Sequence, residues 1–86
     1  RDPEARAVQQ ELLERIRRAV AEELTDRQRQ ALVAIRFNGM PLEEVARRMG
    51  TSRNAIYKLM HDARRRLKAA LLAEGLTEEE LLEASS

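Results

Sequence analysis

The chain has no cysteine and no tryptophan, one tyrosine, one phenylalanine, two prolines and three glycines among its 86 residues. Without thiols there is no disulfide framework and no thiolate metal site, so the scaffold must be held by packing alone. Absent cysteine also fits a reducing, cytoplasmic setting. Aromatic and β-branched runs are nearly missing, which leaves a sheet little to build from and predicts an all-α fold. No apolar run approaches the ~18–20 residues needed to cross a bilayer, and no basic-then-apolar leader opens the chain, so no membrane insertion is expected. A single histidine, with no carboxylate or second histidine at ligand spacing, offers no metal or catalytic constellation. His61 and Asp62 are sequence neighbours and on a helix point about 100° apart, too far round for a dyad. With no glycine-rich phosphate cradle either, neither an enzyme nor a cofactor is expected. The chain opens at Arg1 rather than Met, as a piece of a longer protein would.

What the chain does have is charge, unevenly placed. The net formal charge is only +1. From Leu42 to Lys68, however, there are eight basic and three acidic residues, a local balance of +5. From Ala69 to Ser86 there are five glutamates and no basic residue, a balance of −5. A basic block of this kind is the electrostatic footprint of a nucleic-acid face. The acidic tail could screen that face, bind a regulator, or simply be a solvated terminal helix.

Helix signals divide the chain into three stretches: an N-terminal amphipathic helix over 1–24, a helix-turn-helix domain over 25–74, and a short acidic helix over 75–86. Asp2 and Pro3 form a helix start, the carboxylate accepting from first-turn amides and the proline losing no hydrogen bond. Val8, Leu12, Ile16 and Val20 then repeat at i,i+4 as one apolar stripe. Glu11 and Arg15, and Glu14 and Arg18, have the spacing of helix-surface ion pairs. This helix either completes the domain or reaches toward an upstream one. Thr25 and Gln28 form a capping box, as do Thr77 and Glu80. The second helix runs through Leu32 and Ile35 to Asn38-Gly39, and Phe37 is expected to plug the core. Four or five helices are predicted in all.

The central stretch, residues 42–61, reads LEEVARRMGTSRNAIYKLMH. Val45, Ala46 and Met49 recur at one-turn spacing before a break at Gly50, and Ile56, Leu59 and Met60 do so after it. Ala46 is small where two helices must cross closely, and Gly50 suits a tight turn needing positive φ. Ser52 is the natural cap of a helix running from Arg53 to about Ala73. Two packed core helices would explain the apolar positions equally well, but not the outward residues. Arg53, Asn54, Tyr57 and Lys58 fall in the first turns of the second helix, the part of such a motif that reaches base edges. Arg and Lys can donate to guanine, Asn can pair with adenine, and a ring can meet the thymine methyl. His61 stands between a groove contact and an exposed bystander. Ser52, at a helix N-terminus, and Arg64, Arg65 and Lys68, further along, are expected to touch phosphate.

From Leu24 to Leu72 the chain resembles region 4, the promoter-reading C-terminal domain of bacterial RNA polymerase sigma factors, and most of all the extracytoplasmic-function group. LTDRQRQAL (24–32) is similar to the opening of that domain, and NGMPLEEVARRMGTSRNAIYKLMHDARRRLKAAL (38–71) to its helix-turn-helix and the basic helix beyond. The resemblance implies a wingless relative of the winged-helix architecture and recognition of the minus-35 element of double-stranded promoter DNA. It also implies docking on the β-subunit flap of the RNA polymerase core, and frequent sequestration by an anti-sigma factor. By position, Arg53, Asn54, Tyr57, Lys58 and His61 fall at the family's groove-facing sites, and Arg64 at a commonly basic backbone site. Leu59 and Asp62 depart from it, standing where many members carry arginine, and Pro41 replaces the usual serine cap. Asp62 would repel phosphate, which implies a different promoter subset. LuxR-type output domains also open Leu-Thr-x-Arg, but usually carry histidine where Lys58 stands, and lack the direct Arg64-Arg65-Arg66 continuation. A protein-interaction module that does not bind DNA is the alternative from another class.

Overall fold

The structure, a computed structural model, describes residues 2–85, with side chains as far as Glu83. Helices α1 (Pro3–Glu23), α2 (Asp26–Leu32), α3 (Leu42–Arg48), α4 (Arg53–Ala73) and α5 (Glu78–Ser85) follow in order, and among the described residues there is no strand. The all-α expectation and the wingless helix-turn-helix are met.

Each start is set by its own cap. Asp2 accepts from the Glu4 amide at 3.0 Å, and Ser52 Oγ accepts from the Ala55 amide at 3.1 Å. Thr25 and Gln28 close the reciprocal box, at 3.1 and 3.2 Å, and Thr77 and Glu80 do the same before α5. These bonds satisfy amides that have no partner within the helix. Pro41 caps α3 through its backbone alone, its carbonyl accepting from Glu44 and Val45.

The turn between α3 and α4 fixes the angle at which α4 leaves. Gly50 sits at φ 64°, and the Thr51 amide reaches back to the Ala46 carbonyl at 2.9 Å. That 6→1 bond around a left-handed glycine ends α3 in one residue. The second helix ends differently from expectation. It stops at Leu32 and passes into a π-helical turn over Val33–Phe37. The wider turn carries Phe37 out of the core, and Phe37 is 53% exposed rather than a plug.

Two apolar clusters hold the helices together. The larger joins Val20 of α1 and Leu24 just past its end, Ala31 and Leu32 of α2, Val45 and Ala46 of α3, and Ile56, Met60 and Ala63 of α4. The smaller joins Ala19 of α1 to Leu71 of α4 and to Leu76, just before α5. Helix α4 belongs to both. The stripe predicted on α1 is buried only in its second half: Val8 is 65% exposed, because the first turns of α1 extend past the helices it packs on. Arg15 does not pair with Glu11 but reaches across to the end of α4, donating to the Glu74 carbonyl at 3.1 Å and to its carboxylate at 3.3 Å.

Candidate nucleic-acid interface

At about 100° per residue, Arg53, Asn54, Tyr57, Lys58, His61, Arg64, Arg65 and Lys68 all fall within an arc of about 140° on α4. The buried residues Ile56, Met60 and Ala63 lie outside that arc, whereas Leu71, five turns beyond Arg53 and in line with it, is buried at the far end of the helix in the smaller apolar cluster. All eight arc residues are exposed, and so is Ser52 at the N-terminus of the helix. The structure therefore brings every sequence-predicted site residue to one surface. Arg66, which completes the arginine run, points away from the arc and lies near Gln28 and Asp62.

The cations are not equally available. Glu44 of α3 binds both of its basic neighbours: Arg48 Nε donates to it at 2.9 Å and Arg47 Nε at 3.2 Å, with Arg47 Nη2 on the second carboxylate oxygen. The hydrogen bond from Arg47, followed by that from Arg48, lowers the Glu44 carboxyl from 4.5 to about 2. Because the folded value lies below the unfolded one, this pair's contribution is complete above about pH 4.5 and is lost as pH falls toward 2. An NMR titration of the Glu44 carboxyl should find its midpoint near 2, and Glu44→Gln should flatten the acid limb of the stability profile between those values. A midpoint near 4.5 would show that the two guanidiniums are not held.

On α4, Lys58 Nζ lies 3.5 Å from Asp62, and Lys68 Nζ lies 2.8 Å from Glu78 of α5. Lys68 in turn holds the Glu78 carboxyl below its usual range. So the acidic tail does reach the basic face, but at Lys68 only among the arc residues described. Arg53, Arg64 and Arg65 make no ion pair among the described residues, which leaves them to meet an external anion.

Adjoining the arc, and sharing Arg64 and Lys68 with it, lies an apolar groove of about 580 Å³ between α1, the end of α2, the π-helical turn, α4 and α5. Leu13, Phe37, Leu67 and Leu82 line it, together with the charged Arg36, Arg64, Lys68 and Glu78. No sequence signal marked this groove, because its walls come from five separate elements. Sequence reading also missed Arg29, whose guanidinium spans the junction of α1 and α2. It donates to the carbonyls of Val20 (3.0 Å), Ala21 (3.0 Å) and Leu24 (2.8 Å), and to Asp26 (3.0 Å). The absence of any basic residue in the last turn of α1 was the available hint.

Among the described residues no cluster of His, Cys, Asp or Glu could hold a metal ion, and no helix is long and apolar enough to cross a membrane. Comparison with curated proteins and with solved structures gave no match. Comparison with protein families did: the family described as Sigma-70, region 4 matches residues 13–67, which spans the second half of α1, the whole helix-turn-helix and α4 as far as Leu67. This is a family of DNA-binding domains rather than enzymes, and its members are parts of sigma factors, which bind promoter DNA with RNA polymerase. With well over half its length matched, and with an all-α helix-turn-helix to go with it, the chain belongs to the sigma-70 region 4 family.

Proposed function

We propose that this domain reads the minus-35 element of a promoter, with α4 in the major groove and the apolar groove adjoining it docked on the β-subunit flap of RNA polymerase. The observation that carries the reading is the row of guanidiniums on α4 without an ion pair among the described residues, Arg53, Arg64 and Arg65, interleaved with exposed Asn54, Tyr57, Lys58 and His61. The first turns supply donors and a ring to base edges, while Ser52, Arg64 and Arg65 meet phosphates on either side. Lys68 joins them once released from Glu78. Exposed Phe37, Leu13 and Leu82 give the groove the apolar content a polymerase contact needs. The same groove is the surface we assign to an anti-sigma factor. The place of action is then the cytoplasm, with the polymerase.

The test is binding of duplexes selected from a random pool. The logarithm of affinity should fall with the logarithm of salt at a slope of about −0.9 for each phosphate contact. Arg65→Ala should weaken all duplexes alike, with a slope shallower by about 1. Absence of both selection and salt dependence would sink the DNA reading. Capture of core polymerase through the flap favours the sigma assignment over a LuxR-type output domain, whereas Phe37→Ala should weaken that capture and leave DNA binding untouched. Capture without any DNA binding would favour the interaction module instead.

A further inference from the structure

Asp62 is the sole acidic residue in α4, and helix stability does not account for it. Aspartate is a weak helix former away from the first turn. Its ion pair with Lys58 also runs the less favourable way along the helix, with the cation on the N-terminal side. Nor does attraction for DNA account for it, since a carboxylate beside the phosphate-facing arc subtracts from affinity. Three cations lie within reach of its position on α4, Lys58, Arg65 and Arg66, and among the described residues it pairs with Lys58 alone, at 3.5 Å. Asp62 is the more enclosed partner, with its side chain 37% exposed against 79% for Lys58, and it borders a shallow hollow beside Gln28, Arg65 and Arg66.

From this geometry we infer that Asp62 is a positioning residue that makes Lys58 a reader of sequence rather than a source of general affinity. The inference rests on the promoter-reading function proposed above. A lysine ammonium is a compact, strongly hydrated charge on a flexible stem. Left alone on a DNA-facing helix, it is drawn to whichever phosphate is nearest, and such contacts carry no sequence information. A carboxylate one turn along the same helix holds the ammonium near the ridge of α4 and repels the phosphates that would take it. The ammonium then keeps donors for a groove edge, where the acceptor pair of guanine, O6 and N7, is the matching chemistry. Asp62 needs no contact with DNA to do this. Its effect is exerted wholly through Lys58.

The experiment compares wild type, Asp62→Asn, Lys58→Ala and the double variant on the best selected duplex and on its single-base-pair substitutions, across salt. Asp62→Asn is expected to bind all duplexes more tightly and to steepen the salt slope by about 0.9, the value of one added phosphate contact. At the same time its discrimination at one base pair should fall roughly fivefold or more, within the range a base contact contributes. Lys58→Ala should lose discrimination at that same base pair, and adding Asp62→Asn to it should lose no more. Asp62→Glu, which keeps the charge and the spacing, should retain most of the discrimination. If Asp62→Asn changes affinity for every duplex equally, or if its loss of discrimination adds to that of Lys58→Ala, the two residues do not act together and the inference falls. A lower melting temperature with uniformly weaker binding would make Asp62 merely structural and would overturn it too. A wild-type domain that selects no duplex removes the parent reading as well, so the two failures are distinguishable.

Discussion

Cutting Ile56 back to alanine should cost about 3–4 kcal/mol of folding stability, in the middle of the range for buried aliphatic truncations. Ile56 has no exposed surface and is one of the two largest fully buried side chains, the other being Val45. It stands where α4 crosses α3, in the cluster that also contains Ala46 and Met60. Ala46 contributes little volume there, so collapse around a missing side chain would have to come from backbone movement, which is the costly kind. A domain of this size has roughly 4–13 kcal/mol in total, so the loss is a large share of it. The melting temperature should drop by about 12 °C or more, and DNA binding should vanish at temperatures where the wild type still binds. Ile56→Val should cost only about 1 kcal/mol. Chemical denaturation of both variants checks the pair, and an alanine variant within 1 kcal/mol of wild type would mean the crossing of α3 and α4 is not what holds the motif.

Arg29→Met should cost about 2–3 kcal/mol, from an interaction no local pattern announces. Its guanidinium bridges three carbonyls at the end of α1, groups left without partners when the helix stops. Hydrogen bonds from a charged donor contribute about 1.5–3 kcal/mol each when shielded, and partial exposure of this site brings the sum down. The methionine keeps the stem's packing and removes the fork. Lysine, a single point donor, cannot span three carbonyls, so Arg29→Lys should recover less than half of the loss. Hydrogen exchange should quicken at the end of α1 and the start of α2 in both variants. A lysine variant as stable as wild type would show that charge, rather than the fork, matters here.

Those two cases mark the line between what the sequence discloses and what it withholds. Caps at Asp2, Thr25, Ser52 and Thr77 were legible because each spans no more than three residues, as were Gly50 at the turn and the extent of α4. The faces of α4 were legible too, since helical period alone separates Ile56 and Met60 from Asn54 and Lys58. What could not be read depends on contacts between distant positions. Arg15 finds Glu74 rather than Glu11, 59 residues away in sequence. Lys68 finds Glu78 across a turn, which tempers a phosphate role that composition alone would grant it. Phe37 is turned outward by a π-helical turn that leaves the same apolar residues in the same order, so no periodicity betrays it. Val8 continues its stripe faithfully and has nothing to bury against.

Helix α4 also has a mechanical meaning. As a continuous rod of 21 residues, it is about 30 Å long, with its first turns on the exposed basic arc and its last in the smaller apolar cluster. At its far end the Leu76 amide closes on the Leu71 carbonyl at 3.1 Å around Gly75, which sets the direction in which the chain leaves the rod. Once the first turns lie in a groove, the compass bearing of the C-terminal end relative to the duplex axis is fixed. Anything joined beyond α5 would then be aimed, rather than merely tethered, with respect to the DNA.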